Sequence, residues 1–230
     1  MLCEHRFDSA TTMVRSLCDY VVRELGQGLA ERGRASLVVS GGRTPAALFD
    51  ALSEATLAWE KVWITLADER WVDPSDAQSN EHLVREHLLR ARAASAHFVG
   101  LKNDAASPEE GAPAAEVAFR ALPQPFELVL LGLGEDGHTA SLFPGASELG
   151  RGLALDAPFC LAVHPPAAPY ARMSLSARSL LHSRAIVFLI EGAEKWAAYQ
   201  RAREAGPVEI YPSRAFFHQS EVPVHVYWSR

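Results

Sequence analysis

The stretch Glu127–Gly145, ELVLLGLGEDGHTASLFPG, constrains this chain more than any other. Phe126–Leu131 is a short apolar run, as expected of a strand buried on both faces in a parallel sheet. It ends abruptly at Gly132, Gly134 and Gly137, which allow the backbone to turn sharply and to approach a ligand closely. The turn carries Asp136 and His138, so a titratable imidazole lies at the mouth of a buried strand. His138 changes charge near neutral pH and is able to move a proton. Two other readings compete. The spacing matches the dinucleotide fingerprint G-x-G-x-x-G, with Asp156 at about the distance of a ribose-binding acid. Against it, Glu135 and Asp136 would sit where a pyrophosphate meets a helix N-terminus, opposing the field that attracts phosphate. The blander reading is a tight turn whose histidine merely caps a helix.

The rest of the chain alternates helix and strand signals. Val14, Leu17, Val21, Leu25 and Leu29 recur at helical spacing, which predicts an amphipathic helix over Ser9–Arg32 ended by Gly33. Leu37–Ser40 reads as a strand, and Gly41-Gly42 turns it into a helix with Thr44 as N-cap and Pro45 as first residue. Val62–Ala67 is the next strand, followed by the polar loop DERWVDPSDAQSN and a helix from Ser79 or Asn80 to about Arg92. Asn103–Pro113 reads as a loop and Ala114–Leu122 as a helix. Phe159–Val163, Arg172–Leu175, Ala185–Ile190 and Val222–Tyr227 read as strands, with a helix after Gly192 that carries Lys195 in its first turn. The expected fold is α/β, a Rossmann-like three-layer sandwich with a mostly parallel central sheet flanked by helices, forming one domain over residues 1–230.

Composition narrows the function classes. The 230 residues carry a net charge of −6 and no basic stretch able to track a nucleic-acid backbone. No apolar run is long enough for a transmembrane helix. Glu4, His5, Arg6 and Asp8 occupy the place where a signal peptide needs an apolar core, so a cytoplasmic protein is expected. Cys3, Cys18 and Cys160 are odd in number and lack metal-ligand or redox spacing; reduced, partly buried thiols are expected. The histidines form no metal set, and no nucleophile-elbow serine is present. Neither a metal-activated water nor a covalent serine mechanism is expected.

Three strand-to-turn junctions remain as carriers of chemistry, and in open α/β sheets such junctions collect where ligands bind. Ser40-Gly41-Gly42-Arg43-Thr44-Pro45 resembles a phosphate cradle, with glycine N–H groups at a helix N-terminus and further donors from Arg43, Ser40 or Thr44. Its alternative is an ordinary strand–turn–helix connection. In Asp68-Glu69-Arg70, Arg70 suits a forked phosphate contact and Asp68 suits sugar hydroxyls, against an exposed charged loop or an ion pair. Lys195 opposes the dipole of its own helix, a conflict an anionic ligand there would remove; its alternative is a solvated surface lysine. Arg172 suits a carboxylate or phosphate, or else a structural salt bridge.

VSGGRTPAALFDALS, ITLADERWVDPSDAQSNEHLV and ELVLLGLGEDGHTASLFPG, in this order and spacing, resemble the 6-phosphogluconolactonase family, as do PPAAPYARMSLS and GAEKW further on. The resemblance runs from about Ser36 to Tyr227. It implies hydrolysis of 6-phospho-D-glucono-1,5-lactone to 6-phospho-D-gluconate in the oxidative pentose phosphate pathway, with no obligatory cofactor; the expected partner is the small-molecule sugar-phosphate lactone, not nucleic acid or a membrane. It implies that His138 activates water, that Gly41, Gly42, Arg70 and Lys195 surround the phosphate, and that Arg172 lies near the sugar. Asp136 either orients His138 or stabilises charge. Arg43 departs from the small or lysine-like residues often found at its position. Glucosamine-6-phosphate deaminases share the broad fold but usually carry D-E-Y and H-I-A-F-N-E-P where this chain has Asp68-Glu69-Arg70 and HTASLFP, without the acid after the histidine. Sugar-phosphate-sensing regulators are related too, but they usually carry a DNA-binding helix-turn-helix, and only one helix fits before Leu37. A monomer is expected.

Overall fold

Ser9 and Gly33 bound the longest helix through local chemistry alone. Ser9 is extended and its hydroxyl accepts from Thr12 N, while Gly33 has φ +69° and returns its N–H to Leu29 O. In the structure, a computed structural model describing residues 1–230, this helix is the first of eight. The elements run β1 (Leu2–Phe7), α1 (Ala10–Arg32), β2 (Ala35–Val39), α2 (Ala46–Ser53), β3 (Val62–Leu66), β4 (Asp68–Arg70), α3 (Asn80–His87), β5 (His97–Val99) and α4 (Pro108–Arg120). They continue as β6 (Leu128–Leu131), α5 (Leu149–Leu153), β7 (Cys160–Val163), β8 (Arg172–Leu175), α6 (Ala177–Leu181), β9 (Ile186–Glu191), α7 (Gly192–Arg203), α8 (Arg214–Phe217) and β10 (Val224–Ser229).

Seven strands form one wholly parallel sheet in the order β1-β10-β9-β6-β2-β3-β5. Its inner strands β2 and β6 are buried at every position, and β9 at all but its last, as strands covered on both faces must be. They anchor a single apolar cluster of 56 buried residues. The expected Rossmann-like α/β architecture, a parallel sheet flanked by helices, is therefore present. From β2 the chain moves outward to β3 and β5, then returns to the other side of β2 with β6 and β9. That reversal opens a crevice at the carboxyl ends of β2 and β6, where open α/β sheets bind ligands.

A second, antiparallel sheet, β4-β8-β7, overhangs this crevice. It hangs from the end of β3: Ala67 N bonds Val39 O and Ala67 O accepts Leu175 N, each at 2.8 Å. Asp68-Glu69-Arg70 is thus a strand and not the expected loop, paired so that Arg70 faces Arg172 and Asp68 faces Ser174. Two edge strands, β1 and β5, lie outside the elements the sequence predicts, because LCEHRF and HFV are only half-buried and lack an apolar signature. Helix α4 begins at Pro108, not Ala114, since Ser107 caps it, proline fits its first position and Glu109 and Glu110 favour its dipole. Helix α3 stops at His87, short of Arg92, and a separate 3-10 turn covers Ala91–Ser95. Thr44 does not cap α2: Arg43 and Ala46 close a turn first, and Pro45 takes the cap position without a side-chain bond.

Candidate active site

The crevice is a cleft of about 420 Å³, and all three strand-to-turn junctions reach it. Ser40–Pro45 follows β2, Gly132–Gly134 and His138 follow β6, and Lys195 stands in the first turn of α7 after β9. Asp68, Arg70 and Arg172 come from the overhanging sheet. Gly41, Gly42, Arg43, Thr44, Asp68, Arg70, His138, Arg172 and Lys195 therefore share one cleft, and Asp136 meets it through His138. Asn80 and Phe143 also line it. The sequence read Asn80 only as a helix start; nothing in its neighbourhood marks it as a site residue.

No helix begins at the glycine turn; the next one, α5, starts at Leu149. That removes both the dinucleotide reading, which needs a helix N-terminus for the pyrophosphate, and the helix-cap reading of His138. Asp156 instead pairs with Arg151 at 3.0 Å on the surface. The turn closes on itself: Gly134 N donates to His138 O at 2.8 Å, and Gly137 (φ +83°) donates to Gly134 O at 3.0 Å. A side chain at Gly134 would collide with the His138 ring.

His138 is held on two sides. Its Nδ1 lies 2.6 Å from Asp136 Oδ1, and the same oxygen accepts the His138 backbone N–H at 3.2 Å. Phe143 packs beside the ring with centroids 4.3 Å apart. An ionised carboxylate is an acceptor only, so the ring proton belongs on Nδ1 and Nε2 keeps a free lone pair. Burial alone would raise the Asp136 pKa, but the His138 bonds outweigh it and hold the carboxyl below its ordinary value. Asp136 is therefore ionised at neutral pH.

The overhanging sheet supplies a buried polar set. Ser141 Oγ donates to Asp68 Oδ2 at 2.5 Å, and Arg172 Nη1 stands 3.9 Å from the same oxygen. Burial pushes the Arg172 pKa down while Asp68 supports its charge; a guanidinium stays protonated regardless. Glu69 points away from the cleft and is fully buried. It accepts from Arg70 N, Asn80 N and Glu81 N at 2.7 Å each and from Ser79 Oγ at 3.0 Å. Desolvation nonetheless raises its pKa against those bonds.

Two features make the cleft receptive to an anion. Arg43, Arg70, Arg172 and Lys195 line it against only Asp68 and Glu191, although the chain is acidic overall. The backbone N–H groups of Gly41, Gly42, Arg43 and Thr44 make no hydrogen bond within the protein, which leaves four donors free on one turn. Ser40 Oγ, Arg70 Nε, Asn80 Oδ1 and Arg172 Nε are buried without partners, and all four residues line this cleft. Such unpaired groups are uncommon in a folded protein and concentrate where a ligand completes them. No three His, Cys, Asp or Glu side chains gather anywhere in the arrangement a metal ion needs. No helix is long and apolar enough to cross a membrane.

Comparison with known proteins identifies the family and the fold. The family described as glucosamine-6-phosphate isomerases/6-phosphogluconolactonase matches residues 8–228. A 6-phosphogluconolactonase of Pseudomonas aeruginosa is 42% identical over 223 residues, covering 96% of this chain and 92% of that one. One from Neisseria meningitidis is 38% identical with full coverage of both chains. The crystal structure of a 6-phosphogluconolactonase from Shewanella baltica superposes with a TM-score of 0.98 at 43% identity, covering 100% of this chain and 98% of that one.

Proposed function

Because the chain belongs to the glucosamine-6-phosphate isomerase/6-phosphogluconolactonase family, we propose that it hydrolyses 6-phospho-D-glucono-1,5-lactone to 6-phospho-D-gluconate. The observation that carries the reading is the placement of His138, with its free Nε2, in the same cation-lined cleft as the open N–H turn at Gly41–Thr44. The turn suits a phosphate and the imidazole a water molecule.

The phosphate binds the Gly41–Thr44 turn with Arg70 and Lys195, while Arg43 stands exposed at the rim. Asp68, fixed by Ser141, accepts a sugar hydroxyl. Neutral His138 takes a proton from water through Nε2 as the water oxygen attacks C1, and Asp136 supports the imidazolium that results. The carbonyl oxygen becomes an oxyanion; Arg172 and the unengaged backbone N–H groups of Gly132, Leu133 and Ala140 are candidate donors within the cleft. Collapse expels the ring oxygen, which receives the proton from His138, and the new carboxylic acid releases a proton to solvent. General acid–base work of this kind contributes about 10²–10⁴ in rate. The reaction draws on no metal or cofactor, because a lactone carbonyl is already electrophilic. It places the protein in the oxidative pentose phosphate pathway, acting as one domain and as a monomer in the cytoplasm.

The test generates the lactone in situ and follows proton release, with glucosamine 6-phosphate deamination measured on the same preparation. Hydrolysis well above the spontaneous rate supports the reading. Deamination without hydrolysis transfers the protein to the other enzyme class of its family.

A further inference from the structure

We propose that Asn80 is a positioning residue for the anion cradle, holding the Gly41 backbone in the shape that receives phosphate; this rests on the lactonase reading of the cleft. The two glycines of Ser40-Gly41-Gly42 are required for different reasons. Gly42 has φ +104°, a conformation that side chains rarely adopt. Gly41 has no positive φ, so its own backbone tolerates alanine. What excludes a Cβ at Gly41 is overlap with the Asn80 side chain, its Oδ1 above all.

Asn80 has no room to step back. It is 2% exposed, and its Nδ2 donates to Asp68 O at 2.7 Å. That bond fixes which way the amide faces, because the flipped amide would set two acceptors against each other. Its backbone N–H is held by Glu69 Oε1 at 2.7 Å, at the first position of α3. The Asn80 Oδ1 has no donor of its own. A buried acceptor left unpaired costs stability, so its retention against Gly41 points to a role beyond folding. Glu69, Asn80 and Gly41 form one line of contact from the overhanging sheet to the cradle. Asn80 acts as the backstop of the turn whose N–H groups stay free.

A double-mutant cycle of Gly41→Ala and Asn80→Ala tests this, with KM and kcat on the lactone and inhibition by inorganic phosphate as readouts. Gly41→Ala is expected to weaken phosphate about tenfold or more, since a misplacement of an ångström is felt at this scale. Asn80→Ala is expected to raise KM about three- to tenfold and to leave kcat within about twofold, the split of a binding-geometry defect. In the double variant the added methyl occupies the vacated space, so its loss is no worse than that of Gly41→Ala alone. Losses that simply multiply, a Gly41→Ala protein that binds phosphate like wild type, or an Asn80→Ala protein that loses kcat as much as KM would each overturn the proposal. Melting temperatures accompany every variant, and Asn80→Ser enters the cycle if Asn80→Ala does not fold. Phosphate binding is also measured by calorimetry without turnover. A wild type that binds phosphate but leaves the lactone intact ends the lactonase reading; active wild type with multiplicative losses ends only the Asn80 proposal.

Discussion

Replacing Asp136 separates orientation from charge at the proposed base. Its Oδ1 takes both the ring Nδ1–H and the backbone N–H of His138. An asparagine oxygen is able to accept the same two, so Asp136→Asn keeps the geometry and removes the charge. A hydrogen bond to an ionised partner contributes about 1.5–3 kcal/mol against about 0.5–1.5 for a neutral one, a difference of about 1–1.5 kcal/mol. The His138 and Asp136 side chains are 31% and 49% exposed. Solvent screening at that exposure trims the difference to about 0.5–1 kcal/mol. The charge matters most once the imidazolium forms, so the catalytic loss falls on kcat, by about two- to fivefold. Asp136→Ala removes the bonds as well, and its loss rises to about 5–30-fold. Stopped-flow proton release at saturating lactone reads both. Wild-type kcat in Asp136→Ala, or an asparagine variant as slow as the alanine one, would refute the reasoning.

The same pair has a signature in stability. The folded pKa of Asp136 is depressed below its ordinary 3.8, with burial working against the shift and His138 for it. A depressed carboxyl contributes stability above its unfolded pKa and loses it as pH falls through the folded value. The difference in melting temperature between wild type and Asp136→Asn is therefore expected to hold near neutrality and to shrink below about pH 4.

Two further predictions concern buried carboxylates and a third the cation at the cleft. Arg32 pairs with Glu127, which is 1% exposed, so Arg32→Ala leaves that carboxylate with only the Ser36 N–H and hydroxyl as donors and is expected to cost about 1.5–3 kcal/mol in urea denaturation; a loss under about 0.5 kcal/mol would contradict it. Glu69→Gln turns an amide NH₂ toward donors that now meet an oxygen, and is expected to lower stability by about 1–3 kcal/mol with a matching drop in melting temperature. An unchanged midpoint would mean the donors find other partners. Lys195→Ala is expected to raise KM about tenfold or more with little change in kcat, as loss of a charge-assisted phosphate contact should; a fall in kcat alone would place Lys195 at the reacting carbonyl instead.

What was legible in the sequence is what local chemistry decides. The α1 helix carries its own cap, stop and apolar stripe, and β6 and β9 carry unbroken apolar runs because both their faces are covered. The glycine turns announce themselves because the backbone needs them. Illegible were features set by distant partners. LCEHRF is a strand only because β10, from the far end of the chain, lies beside it. Asp68-Glu69-Arg70 looks like an exposed loop, yet β8 pairs with it and Glu69 is buried among four donors. Asn80 escaped notice for the same reason: its contact with Gly41 spans 39 positions and leaves no periodic or compositional trace. Thr44 misled because a threonine before a proline suits a helix start, and the extra turn at Arg43–Ala46 appears only in three dimensions.

The central claim is that His138, presented by the glycine turn, removes the proton from water. Proton release from lactone generated in situ, compared among wild type, His138→Ala and an enzyme-free control, tests it most directly. The account predicts that His138→Ala loses about 10²–10⁴ in kcat while still binding 6-phosphogluconate, the product, nearly as well as wild type. A His138→Ala protein that turns over at the wild-type rate would contradict it.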